Sequence, residues 1–266
     1  MSMAKQAGAG RWTDLSRRAA SALVLGPVAL FCVWRGGEPW SLLLFVAMAG
    51  LGWEWGQLAR LKRPVALAVL LGLVWLAADR AGPLGGFAAI LLAGLLAWGV
   101  FGRFAAAGVP YAGIGGICLV WLRLRPETGL TDTVFLLLVV WGTDIGAYIA
   151  GRLLGGRRLA PRISPGKTWS GALGGLLSGA GAGALLAAGV HQAPGRAFIA
   201  GLGLSLCAQV GDLLESAIKR KLGVKDSGRT IPGHGGLFDR LDGFLAAAPV
   251  AALLAFCVQG GMPLWG

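Results

Sequence analysis

Residues 132–151 read DTVFLLLVVWGTDIGAYIAG. A helix of about 17–25 mostly apolar residues is long enough to cross a bilayer core, and this run has that length. Its one interior acid, Asp144, would cost roughly 2.5–3.5 kcal/mol at mid-membrane on insertion scales. Such a residue needs a wet cavity, a partner charge or a metal. Working outward, similar runs occur at about 19–34, 40–59, 65–78, 84–101, 104–122, 171–190, 197–218 and 244–262. The 266 residues are 56% hydrophobic and 14% charged, and the mean hydropathy is +0.69. A soluble domain carries about 25% charged residues, so this chain lacks the polar surface to coat a water-soluble body. The expected fold is all-α, a polytopic integral membrane protein of about nine transmembrane helices.

Several spans carry marks of their own. The third is short, and Pro110 with its neighbouring glycines marks the fifth as broken or re-entrant. The first follows Arg17-Arg18 as a signal peptide's apolar stretch does, but Arg35-Gly36-Gly37-Glu38-Pro39 offers no small-x-small cleavage site, so it is expected to be retained. The chain divides into an N-terminal transmembrane region, 1–130, with about five helices, and a C-terminal catalytic region, 131–266, with about four. The 46 glycines are spread through the apolar runs, where small residues let helices approach closely. Cys32, Cys118, Cys207 and Cys257 lie singly in apolar stretches, which indicates neither a metal cluster nor a disulfide framework.

The net charge of +12 suits nucleic acid less well than it suits a membrane protein with basic cytoplasmic loops and phosphate-bearing substrates. With nine spans, the N-terminus and the loops at 60–64, 102–103, 152–170 and 219–243 share one side and hold nineteen Lys and Arg, against five on the other. That bias places the N-terminus inside and the C-terminus outside, in a membrane expected to be the cell inner membrane.

Two helices carry polar stripes. Asp144, Tyr148 and Arg152 fall at i, i+4 and i+8, and Asp212, Glu215, Ser216 and Lys219 at i, i+3, i+4 and i+7. Entering from the same face, they imply a cytoplasm-facing polar cavity. The connection at 219–243 is basic, has glycines around His234 that let backbone N–H groups approach an anion, and ends with Asp239 and Asp242 three residues apart, hard oxygen donors of the kind Mg²⁺ takes. Ser164-Pro165-Gly166-Lys167-Thr168-Trp169 tempts a P-loop reading but lacks the first glycine, with Pro161 in its place, and the preceding strand. It is read as a phosphate-holding loop of another geometry. Glu54, in Trp53-Glu54-Trp55, is read either as functional or as part of an interfacial aromatic belt near Arg60. Arg123 and Arg125 either touch lipid phosphate or anchor a helix end.

Ser216-Ala217-Ile218-Lys219-Arg220, then Lys225-Asp226, then His234-Gly235-Gly236-Leu237-Phe238-Asp239-Arg240-Leu241-Asp242 together resemble the hallmark motif of the phosphatidate cytidylyltransferases. Asp144, Ala147-Tyr148 and Gly151-Arg152, with Ser164-Pro165, Lys167-Thr168-Trp169 and Gly171, resemble that family's second block. The resemblance covers about 130–245. It implies about nine transmembrane helices, a homodimer and the reaction of CTP with phosphatidate to give CDP-diacylglycerol and pyrophosphate. It also implies Mg²⁺, with a monovalent cation such as K⁺ as an optional second ion. By the family's pattern Asp212 and Asp239 hold metal, Asp242 supports them and Lys219 sits beside them.

Lys219, Arg220, Lys225 and Arg229 are then expected to neutralise the leaving pyrophosphate. Lys167 and Arg152 would hold phosphates, and His234 would bind phosphate or position the glycine turn. Asp144, Tyr148, Ser164, Thr168, Asp226, Gly235, Gly236 and Arg240 complete the expected substrate site. Two other readings compete. A CTP-dependent kinase for polyprenols or other lipids would release CDP. An ion-coupled transporter would need polar residues continuing across the membrane, whereas these cluster near one face.

Overall fold

The computed structural model describes residues 23–228, 230–231, 235–258 and 261–266. Within them the chain is a helical body. Its helices are α1 (Leu23–Arg35), α2 (Gly37–Leu58), α3 (Val65–Phe101), α4 (Arg103–Leu124), α5 (Gly129–Leu154), α6 (Trp169–Gly189), α7 (Pro194–Lys221) and α8 (Phe238–Cys257). Six of these, α3 to α8, are long and apolar enough to cross a membrane. Large apolar side chains such as Leu84, Leu153, Leu185 and Phe256 point outward and are exposed. Much of the core is instead alanine and glycine, as in the buried run Ala247, Ala248, Ala251, Ala252 and Ala255 of α8. That inversion suits a body solvated by hydrocarbon, where close backbone packing replaces the hydrophobic drive.

α3 spans 37 residues, about 55 Å at helical rise and far longer than a bilayer core. It does not run straight. Gly82 takes φ 69° and ψ −172° ahead of Pro83, whose ring cannot continue the hydrogen-bond ladder. The chain folds back there: a Cβ on Gly86 would lie 2.8 Å from the Cβ of Ala78, although eight residues of straight helix span about 12 Å. The two limbs, 65–81 and 83–101, match the separate runs read in the sequence.

α4 departs from expectation. It runs unbroken through Pro110 because it is enclosed by neighbours that fix it. Trp55, Met48 and Leu245 press against Gly108, Gly116 and Gly115. Arg123 and Arg125 both serve as helix-end anchors. Arg123 donates to the carbonyls of Val33 (2.6 Å) and Trp34 (2.9 Å) at the end of α1. Arg125 pairs with buried Asp132 at 2.5 Å, whose other oxygen accepts the Leu264 N–H at 2.8 Å.

The segment 152–170, expected as a loop between helices, contains an antiparallel hairpin of β1 (Arg158–Ala160) and β2 (Ser164–Thr168). Composition hid it: Ser-Pro-Gly-Lys-Thr is poor strand material, and the pairing is local. Thr168 then caps α6, its hydroxyl accepting the Gly171 N–H at 3.1 Å, which is the usual service of an N-cap threonine.

Candidate active site

α5 and α6 approach so closely that a Cβ on Gly171, Gly175 or Gly179 would lie 2.8, 2.9 and 2.8 Å from the carbonyls of Ala147, Thr143 and Val139. That seam sets the polar stripe of α5 beside the hairpin and opposite α7 and α8. Between them lies a cleft of about 700 Å³, within the range of small-molecule sites. Asp144, Tyr148 and Arg152 line it from α5, Lys167 and Thr168 from the hairpin, Asp212, Glu215 and Lys219 from α7, and Asp239, Arg240 and Asp242 from α8. Five carboxylates therefore face four cations.

The ion pairs are short, and two of them cross between elements. Lys167 Nζ meets Asp212 Oδ2 at 2.5 Å. Lys219 Nζ lies 2.6 Å from both Glu215 and Asp239. Arg152 donates to the Tyr148 hydroxyl at 2.7 Å. Ligand oxygens of Asp212, Glu215 and Asp242 all lie within 4.8 Å of one another. Glu215 Oε1 is buried with no hydrogen-bond partner. A buried carboxylate oxygen left open costs about 1–3 kcal/mol or more, so a cation in this group would answer an existing deficit. The three-carboxylate set fits Mg²⁺ chemically, as hard oxygens able to leave positions open for phosphates.

Glu215 is the member of this set that sequence reasoning passed over. It was visible on the α7 stripe, but the family pattern drew attention to Asp239. Here Asp239 lies one lysine away. Besides Lys219, its carboxylate accepts the N–H groups of Gly236 (2.9 Å) and Ser227 (3.1 Å to Oδ2). The second residue is Glu54, whose role the sequence left open. It is fully buried, which overturns the interfacial-belt reading. It accepts the N–H groups of Leu237 (2.7 Å) and Phe238 (2.9 Å), and hydroxyls from Ser227 (3.2 Å) and Thr230. The N–H group of Gly236, one of the glycines expected to let the backbone approach an anion, and those of Leu237 and Phe238 are therefore committed to this chain's own carboxylates. No local signal in Trp53-Glu54-Trp55 names partners more than 170 residues away.

The remaining expected residues fall into four groups. Thr168 lines the cleft, but its hydroxyl caps α6. Ser164 pairs in the hairpin with Ala160, and Arg220 donates to the Ile163 carbonyl at 3.1 Å, tying α7 to the hairpin; neither lines the cleft. Lys225 and Asp226 are exposed in the α7–α8 connection, where Gly235 takes φ 85° and its carbonyl accepts the Ile231 N–H. Arg229 and His234 lie outside the described residues.

The family model for the cytidylyltransferase family matches residues 16–258. A phosphatidate cytidylyltransferase of Brucella suis biovar 1 (strain 1330) is 43% identical over 255 residues, covering 91% of this chain and 93% of the relative. One from Pseudomonas aeruginosa is 36% identical over 273 residues, covering 94% and 100%. One from Haemophilus influenzae is 32% identical over 295 residues, covering 92% and 99%. A match over nearly the whole length, joined to a cleft in which carboxylates and cations interleave among membrane helices, means that this chain belongs to the cytidylyltransferase family.

Proposed function

We propose that the chain is a membrane nucleotidyltransferase that moves the cytidylyl group of CTP to phosphatidate, giving CDP-diacylglycerol and pyrophosphate. The observation that carries this reading is the joining of Lys167, Lys219, Arg152 and Arg240 with a three-carboxylate group in one cleft, in a chain whose full-length relatives bear that name. The phosphate of phosphatidate is already an anionic nucleophile. An oxygen of it forms a bond to the α-phosphorus of CTP as the bond to the β-phosphate oxygen breaks, and pyrophosphate carries that electron pair away. The protein's task is to bring two polyanions together. Lys167 and Arg152 hold phosphates from the hairpin and α5 side, and Lys219 and Arg240 take up negative charge on the departing pyrophosphate.

Asp212 and Asp242, joined by Glu215, are the proposed Mg²⁺ ligands, with Asp239 held beside them by Lys219. Bound there, Mg²⁺ would supply positive charge beside the substrate phosphates. A monovalent ion such as K⁺ is the proposed optional second cation.

Nine crossings are proposed. The fold-back at Gly82 supports counting α3 twice, and the bias of Lys and Arg supports a cytoplasmic N-terminus, an outer C-terminus and a cleft that opens to the cytoplasm from the inner membrane. In this reading residues 1–130 are the scaffold and 131–266 the catalytic part, and the enzyme works as a homodimer.

The test is pyrophosphate release by purified protein in detergent with CTP, Mg²⁺ and phosphatidate, with Asp212→Ala alongside. Release that needs phosphatidate and vanishes in Asp212→Ala is the expected result. CDP in place of pyrophosphate would transfer the assignment to a lipid kinase. Neither product would sink both.

A further inference from the structure

The α7–α8 connection carries Asp239 and Lys219 at its two ends, and Glu54 of α2 reaches it from outside the cleft. Each oxygen of the Glu54 carboxylate ties one strand of the connection to the other. Oε1 accepts from Thr230 and from the Leu237 N–H, and Oε2 accepts from Ser227 and from the Phe238 N–H. Leu237 is the N-cap of α8 and no side chain of its own turn caps it, so two of the orphan N–H groups of that helix end are satisfied by a carboxylate from α2. The positive end of the helix dipole favours an anion there. Gly228 and Gly236 pack directly on the carboxylate: a Cβ on either would lie 2.9 Å from Glu54 Cδ or 2.8 Å from Glu54 Oε2. Little space remains for water to replace a lost oxygen.

Ser227 links this clasp to the cleft. Its hydroxyl goes to Glu54 and its N–H to Asp239 (3.1 Å), and Asp239 in turn holds Lys219, which holds Glu215. We infer that Glu54 is a positioning residue for cytidylyl transfer, resting on the function proposed above. By locking the two strands of the 227–238 connection together, it fixes where Asp239 presents Lys219 to the cleft. It touches no substrate. Its effect is on the geometry of groups that do.

Glu54→Gln tests this with little change in size. An amide replaces one acceptor oxygen with a donor, so at least one of the four donors faces an N–H and the clasp opens. The expected result is a kcat lower by about 30-fold, with the KM for phosphatidate within about twofold and a protein that remains monodisperse. Trypsin should then cut after Lys225 several-fold faster, while cuts in the exposed 157–162 segment keep their wild-type rate. A folded Glu54→Gln protein with kcat and Lys225 cleavage both near wild type would overturn the inference. So would one with only a lower melting temperature, because that is a structural role alone. If Glu54→Gln fails to fold, Ser227→Ala and Thr230→Val each remove one hydroxyl donor. Each should lower kcat several-fold and speed Lys225 cleavage, and unchanged values in both would reject the clasp. Wild-type protein that releases no pyrophosphate would reject the proposed reaction instead, and the Lys225 cleavage rates would still decide whether Glu54 holds the connection.

Discussion

Asp132 and Glu215 are both carboxylates buried in helices of an apolar body, and their surroundings differ in one respect. Asp132, in the first turn of α5, uses both oxygens: one takes Arg125 at 2.5 Å and the other the Leu264 N–H at 2.8 Å. Glu215 gives one oxygen to Lys219, and its other oxygen has no partner. Asp132 belongs to a closed clasp that ties α4, α5 and the C-terminal segment together. Glu215 belongs to a cleft with more carboxylates than cations. The two clusters are separated by nearly half of the 26-residue α5, since Asp132 and cleft-lining Asp144 are about 18 Å apart at helical rise. A saturated buried charge is a fastening. An unsaturated one beside two further carboxylates is a place where something binds.

This contrast breaks most readily at the clasp. Asp132→Ala strands Arg125 and the Leu264 N–H in a buried site, and removing one partner of such a pair costs about 3–5 kcal/mol. The expected outcome is a large drop in thermal midpoint in detergent, with turnover per folded molecule unchanged. Loss of turnover without loss of stability would show that the clasp takes part in catalysis.

Lys167→Met probes the cleft side. Asp212 is partly exposed there, with 38% of its side chain accessible, so stability should change by no more than about 1 kcal/mol. The kcat/KM should fall about 100-fold, equivalent to about 2.7 kcal/mol of transition-state stabilisation. A melting curve shifted as far as that of Asp132→Ala would erase the distinction between the two clusters.

Glu215→Gln sharpens it further. The amide keeps the shape and removes a charge from the three-carboxylate group. The Mg²⁺ concentration for half-maximal rate should rise about tenfold, equivalent to about 1.4 kcal/mol, with kcat at saturating Mg²⁺ reduced less than in Lys167→Met. An unchanged Mg²⁺ requirement would remove Glu215 from the ligand set.

The stripes read from spacing reached the cleft because helical periodicity is local. Asp144, Tyr148 and Arg152 on α5, and Asp212, Glu215 and Lys219 on α7, all line it, whereas Ser216 of the α7 stripe is buried beside Asp212, to which its hydroxyl donates at 3.4 Å, and does not line it. Single motif positions fared less evenly. Lys167 of the hairpin reaches the cleft, whereas Ser164 of the same strand and Arg220 at the end of α7 are spent on tying the hairpin down. A motif names residues that occur together; it does not distinguish those that face a ligand from those that hold the frame.

From the order of residues alone came the membrane-helical class, the separate apolar runs at 65–78 and 84–101, and the polar faces of α5 and α7, because apolar run length and helical period act over a few turns. The tertiary structure decided the rest: that Lys167 meets Asp212, that Arg125 closes on Asp132 and the Leu264 N–H, and that Glu54 caps α8 across more than 170 residues. Those pairings are settled by which buried donors and acceptors are left over once the helices pack, and no local stretch of sequence carries that information.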